Sequence, residues 1–282
     1  MIEVRYKGRL GNNLFQYVLG RILAEQLGFE LRAEEIGGFP NTALEVRGER
    51  HLAPEVVLKG NVINLKDTLA NRSPRKVILD GWFQRFEYYK PYRRQIQDWL
   101  AMNSTIKPCA EKADLVLQVR RTDYVALGWA LPFSYFEEAI DLALPKGGSI
   151  AIVTDDSRDP FFHQFRRWPV RFVIGSPLEQ FAYLVKAPRL VMSQSSFSWW
   201  PAFLGEHQKV IAPITDFGVW AENGAADPAK LVDPEWCIPI KATEKYVPSA
   251  EEVAHQKWRA FKRRVVLKMN RVLGLSFPEP PP

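Results

Sequence analysis

Residues 115–212 repeat one pattern: a short apolar run, a turn rich in Ser, Asp or Pro, and then a segment of helical spacing. The runs Leu115–Val119, Ile150–Val153, Arg171–Ile174, Arg189–Met192 and Lys209–Ala212 have the length of single strands. Near-continuous apolar runs of that length read as buried parallel strands. Between them, Ser134-Tyr-Phe-Glu137 and Ser176-Pro-Leu-Glu179 have the capping-box pattern. Asp159 before Pro160 places a proline at a first helical position. Strands alternating with helices over these lengths predict an α/β fold with a parallel, doubly wound sheet. Residues at the carboxyl ends of such strands face the ligand crevice.

The N-terminal half begins in the same way. Ile2-Glu-Val-Arg-Tyr6 alternates as a strand, and Gly8-Arg-Leu-Gly-Asn-Asn-Leu-Phe-Gln-Tyr17 runs into a helix carrying Leu14, Phe15, Val18, Leu19, Ile22, Leu23 and Leu27 at helical spacing. Only Gly8 and Gly11 are present, so this is not the dinucleotide fingerprint. The amides of Asn12 and Asn13 beside a helix start suit an oxyanion or a sugar hydroxyl. Residues 33–75 show poor periodicity and no element is assigned to them. Lys76–Asp80 is a strand, followed by a dense aromatic segment from Trp82 to Tyr89. That segment reads first as packing and second as a sugar platform. A helix over 91–100 and a linker over 103–108 close this half. The expected architecture is therefore two Rossmann-like domains facing across a cleft, 1–108 and 109–248, followed by a tail over 249–282.

The totals narrow the functional classes. The chain has 282 residues with 46% hydrophobic content, enough for a real core. No apolar run reaches the ~20 residues of a membrane span, and no signal-peptide pattern is present, so cytoplasmic residence is the expectation. The 2 cysteines, Cys109 and Cys237, form neither a disulfide framework nor a zinc spacing. The net charge of +6 suits an anionic partner, and the absence of a recognisable nucleic-acid module predicts no nucleic acid. There is no D-x-D motif, the 4 histidines are scattered, and neither a G-x-S-x-G elbow nor a P-loop is present, so no metal site is expected.

Three groups of polar residues lie where ligand chemistry is expected. Arg120 and Arg121 follow the strand Leu115–Val119. A guanidinium fork matches phosphate oxygens bidentately, although the pair could equally satisfy loop carbonyls or Asp123. Asp155 and Asp156 end another strand, where they could bind a ribose or a guanine edge, or cap the next helix. Ser193, Ser195, Ser196 and Ser198 surround Phe197 at a strand-to-helix junction. Hydroxyls there add to the anion cradle of a helix N-terminus, and the blander reading is ordinary capping.

Together these segments resemble the α-1,2-fucosyltransferase family, over roughly residues 4–215. The family's G-x-L-G-N-Q-x-F-Q-Y corresponds to Gly8–Tyr17, and its G-Y-F-Q to Gly81-Trp-Phe-Gln84. Its H-V-R-R-G-D-Y corresponds to Gln118-Val-Arg-Arg-Thr-Asp-Tyr124, its S-D-D to Thr154-Asp-Asp156, and its N-S-S-F-S-W-W to Gln194-Ser-Ser-Phe-Ser-Trp-Trp200. Gln118, Thr122, Gln194 and Asn13 depart from those motifs. The resemblance implies a GT-B fold and inverting, metal-free transfer from GDP-β-L-fucose to a glycan hydroxyl, typically galactose O2. It places residues 1–108 on the acceptor side and 109–248 on the nucleotide-sugar side. Arg120, Asn12 and Asp123 are the implied catalytic set, with Asp123 either acting directly or holding Arg120. Gly11, Asn13, Gln118, Arg121, Asp155, Asp156, Ser195, Ser196 and Phe197 are the implied donor-binding set. Acceptor choice is expected in 33–75. Rival readings are a transferase of the same fold with another nucleotide sugar and a catalytically silent glycan- or nucleotide-binding protein.

The tail from Ala250 to Leu275 carries Val253, Trp258, Phe261, Val265, Met269 and Val272 on one helical face, with Lys257, Arg259, Lys262, Arg263, Arg264, Lys268 and Arg271 around it. It predicts either a helix packed back on the protein or a basic amphipathic helix on an anionic membrane, peripheral at its inner face.

Overall fold

In the computed structural model the chain is described over residues 1–43, 46–50, 54–218, 231–242 and 244–273, with side chains of the last helix described as far as residue 267. Two parallel sheets form the frame. The first contains β1 (Ile2–Val4), β2 (Leu31–Arg32), β3 (Glu55–Gly60) and β4 (Lys76–Gly81) in the order β2-β1-β4-β3. The second contains β5 (Leu115–Val119), β6 (Ile150–Thr154), β7 (Val170–Phe172), β8 (Arg189–Val191), β9 (Lys209–Ile214) and β10 (Ile238–Lys241) in the order β10-β9-β8-β5-β6-β7. Every strand pairing among these is parallel. This is the α/β, GT-B-like architecture of two Rossmann-like units.

Each sheet has a point where the chain reverses its direction of growth. The second sheet is laid from β5 through β6 to β7, then resumes on the other side of β5 with β8, β9 and β10. The first is laid from β1 to β2, then continues on the other side of β1 with β4 and β3. Crossover helices leave a crevice at such switch points, at the carboxyl ends of the two strands concerned. The ligand-facing positions are therefore those after β5 and β8, and those after β1 and β4.

Two helices join the units. α1 (Leu10–Leu27) follows β1 and ends at Gly28, whose φ of 71° is the left-handed stop that glycine adopts without strain. α8 (Ser196–Leu204) follows β8. One continuous apolar cluster includes Leu14, Phe15 and Leu79 of the first unit and Trp199, Trp200 and Phe203 of the second. Phe15 lies 4.7 Å from the Trp199 ring and 4.8 Å from the Trp200 ring. Gly11 makes this approach possible, since a Cβ there would stand 2.5 Å from the Ser196 carbonyl carbon. Trp200 Nε1–H donates to the Gly11 carbonyl at 2.8 Å. At their far ends, Arg93 and Gln97 of α4 (Arg93–Trp99) donate to the carbonyls of Phe203, Leu204 and Gly205, the last turn of α8 and the residue after it.

Some local expectations are corrected. The capping box at Ser134 does not form: α6 (Phe133–Ala143) starts two residues earlier than that box would place it, with Pro132 as its N-cap. Phe133 belongs to the buried face, 5.0 Å from the Phe165 ring, so packing fixes the start ahead of the serine. The Asp159–Pro160 signal starts a 3-10 turn over Pro160–Phe165, capped by Asp159 as expected. The capping box at Ser176 forms, opening α7 (Pro177–Val185). Residues 33–75 hold β3 and α2 (Leu65–Ala70), neither of which was assigned from sequence. β3 is an edge strand with five of its six residues exposed, so it lacks the apolar alternation that would reveal it. The aromatic segment is core: Phe83, Phe86, Tyr88 and Tyr89 are buried.

Trp200→Phe keeps a large ring but removes the indole N–H that donates to the Gly11 carbonyl, a bond made in addition to those within α1. We expect a loss of about 0.5–1.5 kcal/mol in stability from that one hydrogen bond. Urea unfolding measures it, and an unchanged midpoint would show that the joint does not depend on this bond.

Candidate functional site

Where β5 ends, two adjacent arginines take opposite directions. Val119 is in register with Thr154, so Arg120 and Asp155 leave neighbouring strands side by side. Asp155 accepts the Arg121 backbone N–H at 2.8 Å and pairs with Arg120 Nη1 at 2.9 Å. It also accepts the Thr122 hydroxyl, which opens α5 (Thr122–Leu127). Arg120 Nη2 pairs with Asp123 at 2.6 Å, and the guanidinium lies 5.3 Å from the Tyr124 ring. The side chain of Arg120 keeps 15% of its surface exposed. Burial works against its charge, but the Asp155 and Asp123 carboxylates outweigh this and raise its pKa. A guanidinium has five N–H donors, so two carboxylate contacts leave others for a ligand.

Arg121 turns inward. Its side chain is 1% exposed, between Asp159 at 3.1 Å and Glu252 at 2.6 Å. The guanidinium lies 4.0 Å from the Phe161 ring centre and 4.6 Å from that of Tyr246. The structure thus gives Arg121 an internal role in place of the donor contact expected for it. Asp156 is likewise 6% exposed and engaged by His255 at 2.9 Å and by Arg259, both on α9 (Ala250–Leu273). Gln118 is also enclosed, 2% exposed and accepting the Ser193 hydroxyl. Asp156 and Gln118 were expected at the donor, and both are occupied inside the protein.

The serine segment divides in the same manner. Ser193 is bonded to Gln118, and Ser198 donates back to the Ser193 and Ser195 carbonyls at 2.9 and 3.0 Å. Gln194 is fully buried and donates to the Trp129 carbonyl at 2.7 Å. Ser195 is the N-cap of α8, accepting the Phe197 N–H at 3.2 Å. Ser196 and Phe197 stay partly exposed in the first turn. Tyr124 reaches from Arg120 to this turn, its hydroxyl donating to the Gln194 carbonyl at 3.2 Å. Burial pushes the Tyr124 phenol up to about 12, so it stays a neutral donor at ordinary pH.

The other switch point faces the same place. Arg9, the N-cap residue of α1, stands 3.8 Å from the second oxygen of Asp123. Gly11 abuts Ser196. Asn12 accepts from Gln84 Nε2 at 2.8 Å, across the ends of β1 and β4. Gln84 is 2% exposed, and its backbone N–H donates to Asn61, which follows β3. Among the described residues, Gln84 Oε1 and Asn61 Nδ2 of this amide chain and the neighbouring Asn13 Oδ1 are buried with no hydrogen-bond partner. Arg9, Gln84 and Asn61 were given no role from sequence, although Arg9 and Gln84 lie inside quoted motifs.

The site therefore brings Arg9, Asn12, Arg120, Asp123, Asp155, Ser195 and Ser196 together at two helix N-termini. Orphan N–H groups and the dipole there favour an anion. Among the described residues, no group of three His, Cys, Asp or Glu side chains could hold a metal ion. Two cavities lie apart from this cluster: about 340 Å³ beside Val116, Tyr183 and Pro188, and about 630 Å³ beside Arg32, Arg47 and Arg50.

No protein-family model and no curated protein matches the sequence. Among solved structures, NodZ alpha-1,6-fucosyltransferase soaked with GDP-fucose is similar at 13% identity and a TM-score of 0.46, over 72% of this chain and 92% of that one. Fucosyltransferase NodZ from Bradyrhizobium gives 13% and 0.46, over 72% and 93%. A variant of Arabidopsis thaliana FUT1 in complex with GDP gives 11% and 0.41, over 75% and 69%.

The two arginines separate in one experiment. Arg121→Met leaves Asp159 and Glu252 as buried, uncompensated carboxylates, so we expect about 3–5 kcal/mol of lost stability. Arg120→Lys keeps a cation between Asp123 and Asp155, so we expect a clearly smaller loss. Equal effects in urea unfolding would contradict the assignment of one arginine to the core and the other to the site.

Proposed function

We propose that the protein is an inverting glycosyltransferase that moves L-fucose from GDP-β-L-fucose to a glycan hydroxyl. The observation that carries the reading is Arg120, partly exposed at the switch point between β5 and β8 and braced by Asp155 and Asp123. Residues 1–108 would serve the acceptor side and 109–248 the donor side.

In the reaction the bond from fucose C1 to the β-phosphate oxygen breaks, and an acceptor oxygen bonds to C1 from the opposite face. Negative charge builds on the departing diphosphate. A guanidinium held in place beforehand and the N–H groups of the first turn of α8 lower the cost of that charge. They supply the positive charge that a metal would otherwise provide. Asn12 offers its amide N–H groups to the leaving oxygen, because Gln84 occupies its carbonyl oxygen. Asp123 holds Arg120 through one oxygen at 2.6 Å, and its second oxygen lies 3.8 Å from the exposed Arg9. Its role is therefore to position Arg120, and the acceptor proton leaves to water as a loose, oxocarbenium-like transition state collapses.

Asn12, Gln84 and Asn61 line up amide groups at the ends of β1, β4 and β3, polar chemistry suited to a hydroxylated acceptor beside Asn12. Asn61 lies within 33–75, the segment expected to govern acceptor choice. The α-1,2 linkage to galactose rests on the motif resemblance. One observation favours a second donor reading: Gln118 stands where the family has histidine, and it is closed off from ligand by Ser193. Base recognition then falls to other groups, and another nucleotide sugar becomes the alternative.

Incubation with a panel of GDP- and UDP-sugars and a glycan array tests the reading. We expect turnover of GDP-fucose, persisting in EDTA, with product linkage determined by NMR. Arg120→Lys should lower kcat/KM by orders of magnitude, because a point charge cannot replace a bidentate fork. GDP binding without hydrolysis or transfer would instead identify a silent binding protein.

A further inference from the structure

We infer that α9 is a peripheral membrane anchor whose outward face binds anionic lipid. The helix runs from Ala250 to Leu273, and its first turns are fixed to the protein along one side. Ser249 and Glu252 cap each other, Ser249 N–H donating to Glu252 Oε2 at 2.7 Å and Glu252 N–H to Ser249 Oγ at 3.2 Å. Glu252 also binds Arg121, His255 and Arg259 bind Asp156, and Gln256 donates to Asp159 at 3.0 Å. These contacts are polar, so the helix is held by charge pairs rather than by its apolar side chains.

The apolar side chains point the other way. Nine residues separate Glu252 from Phe261, which at ~3.6 residues per turn is two and a half turns, the opposite side of the helix. Trp258, Phe261 and Val265 fall on one stripe at three- and four-residue steps. They are 51%, 58% and 37% exposed. A helix packed back through its apolar face would bury these residues, so that expectation is corrected. The side chains of Lys268, Met269, Arg271 and Val272, and the proline-rich tail over 274–282, lie outside the described residues.

Charge identifies the occupant. Lys257 and Arg264 border the stripe on one side and Lys262 on the other, all exposed, with the Lys262 ammonium 3.3 Å from the Trp258 ring centre. Between Ala250 and Leu267, Lys257, Lys262, Arg263 and Arg264 are exposed against Glu251, while Arg259 and Glu252 are turned inward to Asp156 and Arg121. Aromatic and aliphatic side chains rimmed by cations match the interface of an anionic bilayer: rings enter the acyl boundary while long cationic stems reach the headgroups. Each basic residue near such a surface adds about 1 kcal/mol. A second copy of the same basic face would be repelled. No helix among the described residues is long and apolar enough to cross a membrane, so the contact is with the surface.

The test is co-sedimentation of the full chain with vesicles of equal phosphatidylcholine and phosphatidylglycerol. We expect binding at low salt, little at high salt, and little to phosphatidylcholine alone. The Trp258→Ser, Phe261→Ser double variant should bind about tenfold or more weakly, with unchanged circular dichroism and urea midpoint. Lys257→Gln with Lys262→Gln and Arg264→Gln should abolish the dependence on phosphatidylglycerol. No binding at low salt, or binding indifferent to both variants, overturns the inference. So does lipid-free self-association, seen by light scattering, that Phe261→Ser removes, since the face would then belong to a second copy. The outcome does not depend on the donor sugar, and sedimentation can fail while transfer succeeds, or the reverse.

Discussion

The structure around the site depends on burying the charge of Arg121. A guanidinium 1% exposed is tolerated only with close carboxylates. Asp159 comes from the turn after β6 and Glu252 from the first turn of α9. This one side chain therefore fixes the end of β5 to the turn after β6 and to the C-terminal helix. Because residue 121 is directed inward, residue 120 must leave the strand end on the other side. Asp155 serves both residues, accepting the Arg121 backbone N–H and the Arg120 guanidinium. The partly exposed arginine is held in place by the buried one.

The same economy operates between the two units. Each switch point alone offers one helix N-terminus and a few polar side chains. They face one place because α1 and α8 touch where they begin, with Gly11 against Ser196 and Trp200 hydrogen-bonded to Gly11. The tryptophans of the serine motif explain part of this. Trp199 and Trp200 are fully buried against Phe15, and Trp199 Nε1–H donates to the Leu231 carbonyl at 2.9 Å. They set the distance between the starts of α1 and α8.

Much of this was readable before any coordinates. β5, β6 and β4 lie where their apolar runs place them, because buried parallel strands must be apolar on both faces. Arg120, Asn12, Ser195 and Ser196 stand near strand ends and helix starts, where motif spacing puts them. Side-chain direction is what the sequence leaves open. A sequence shows that Arg121, Asp156 and Gln118 stand at strand ends, but not which way each side chain turns. Inward charges need partners far along the chain: Glu252 lies well past Arg121, and Arg259 well past Asp156. β3 was missed for a related reason, since as an exposed edge strand it carries no periodic apolar signature.

The polar anchoring of α9 links the surface of the protein to its site. Arg121 and Asp156, which hold the helix, are the chain neighbours of Arg120 and Asp155. A helix fixed by its apolar face would lose contact with the protein on entering lipid, because the same side chains cannot serve both. Here the two sides are separate: charges and amides face Asp156 and Asp159, while Trp258, Phe261 and Val265 remain available. Lipid binding then requires no rearrangement of the contacts behind the site. It would instead hold the carboxyl ends of β5 and β6 at a fixed orientation to the bilayer, a geometry suited to an acceptor presented at that surface.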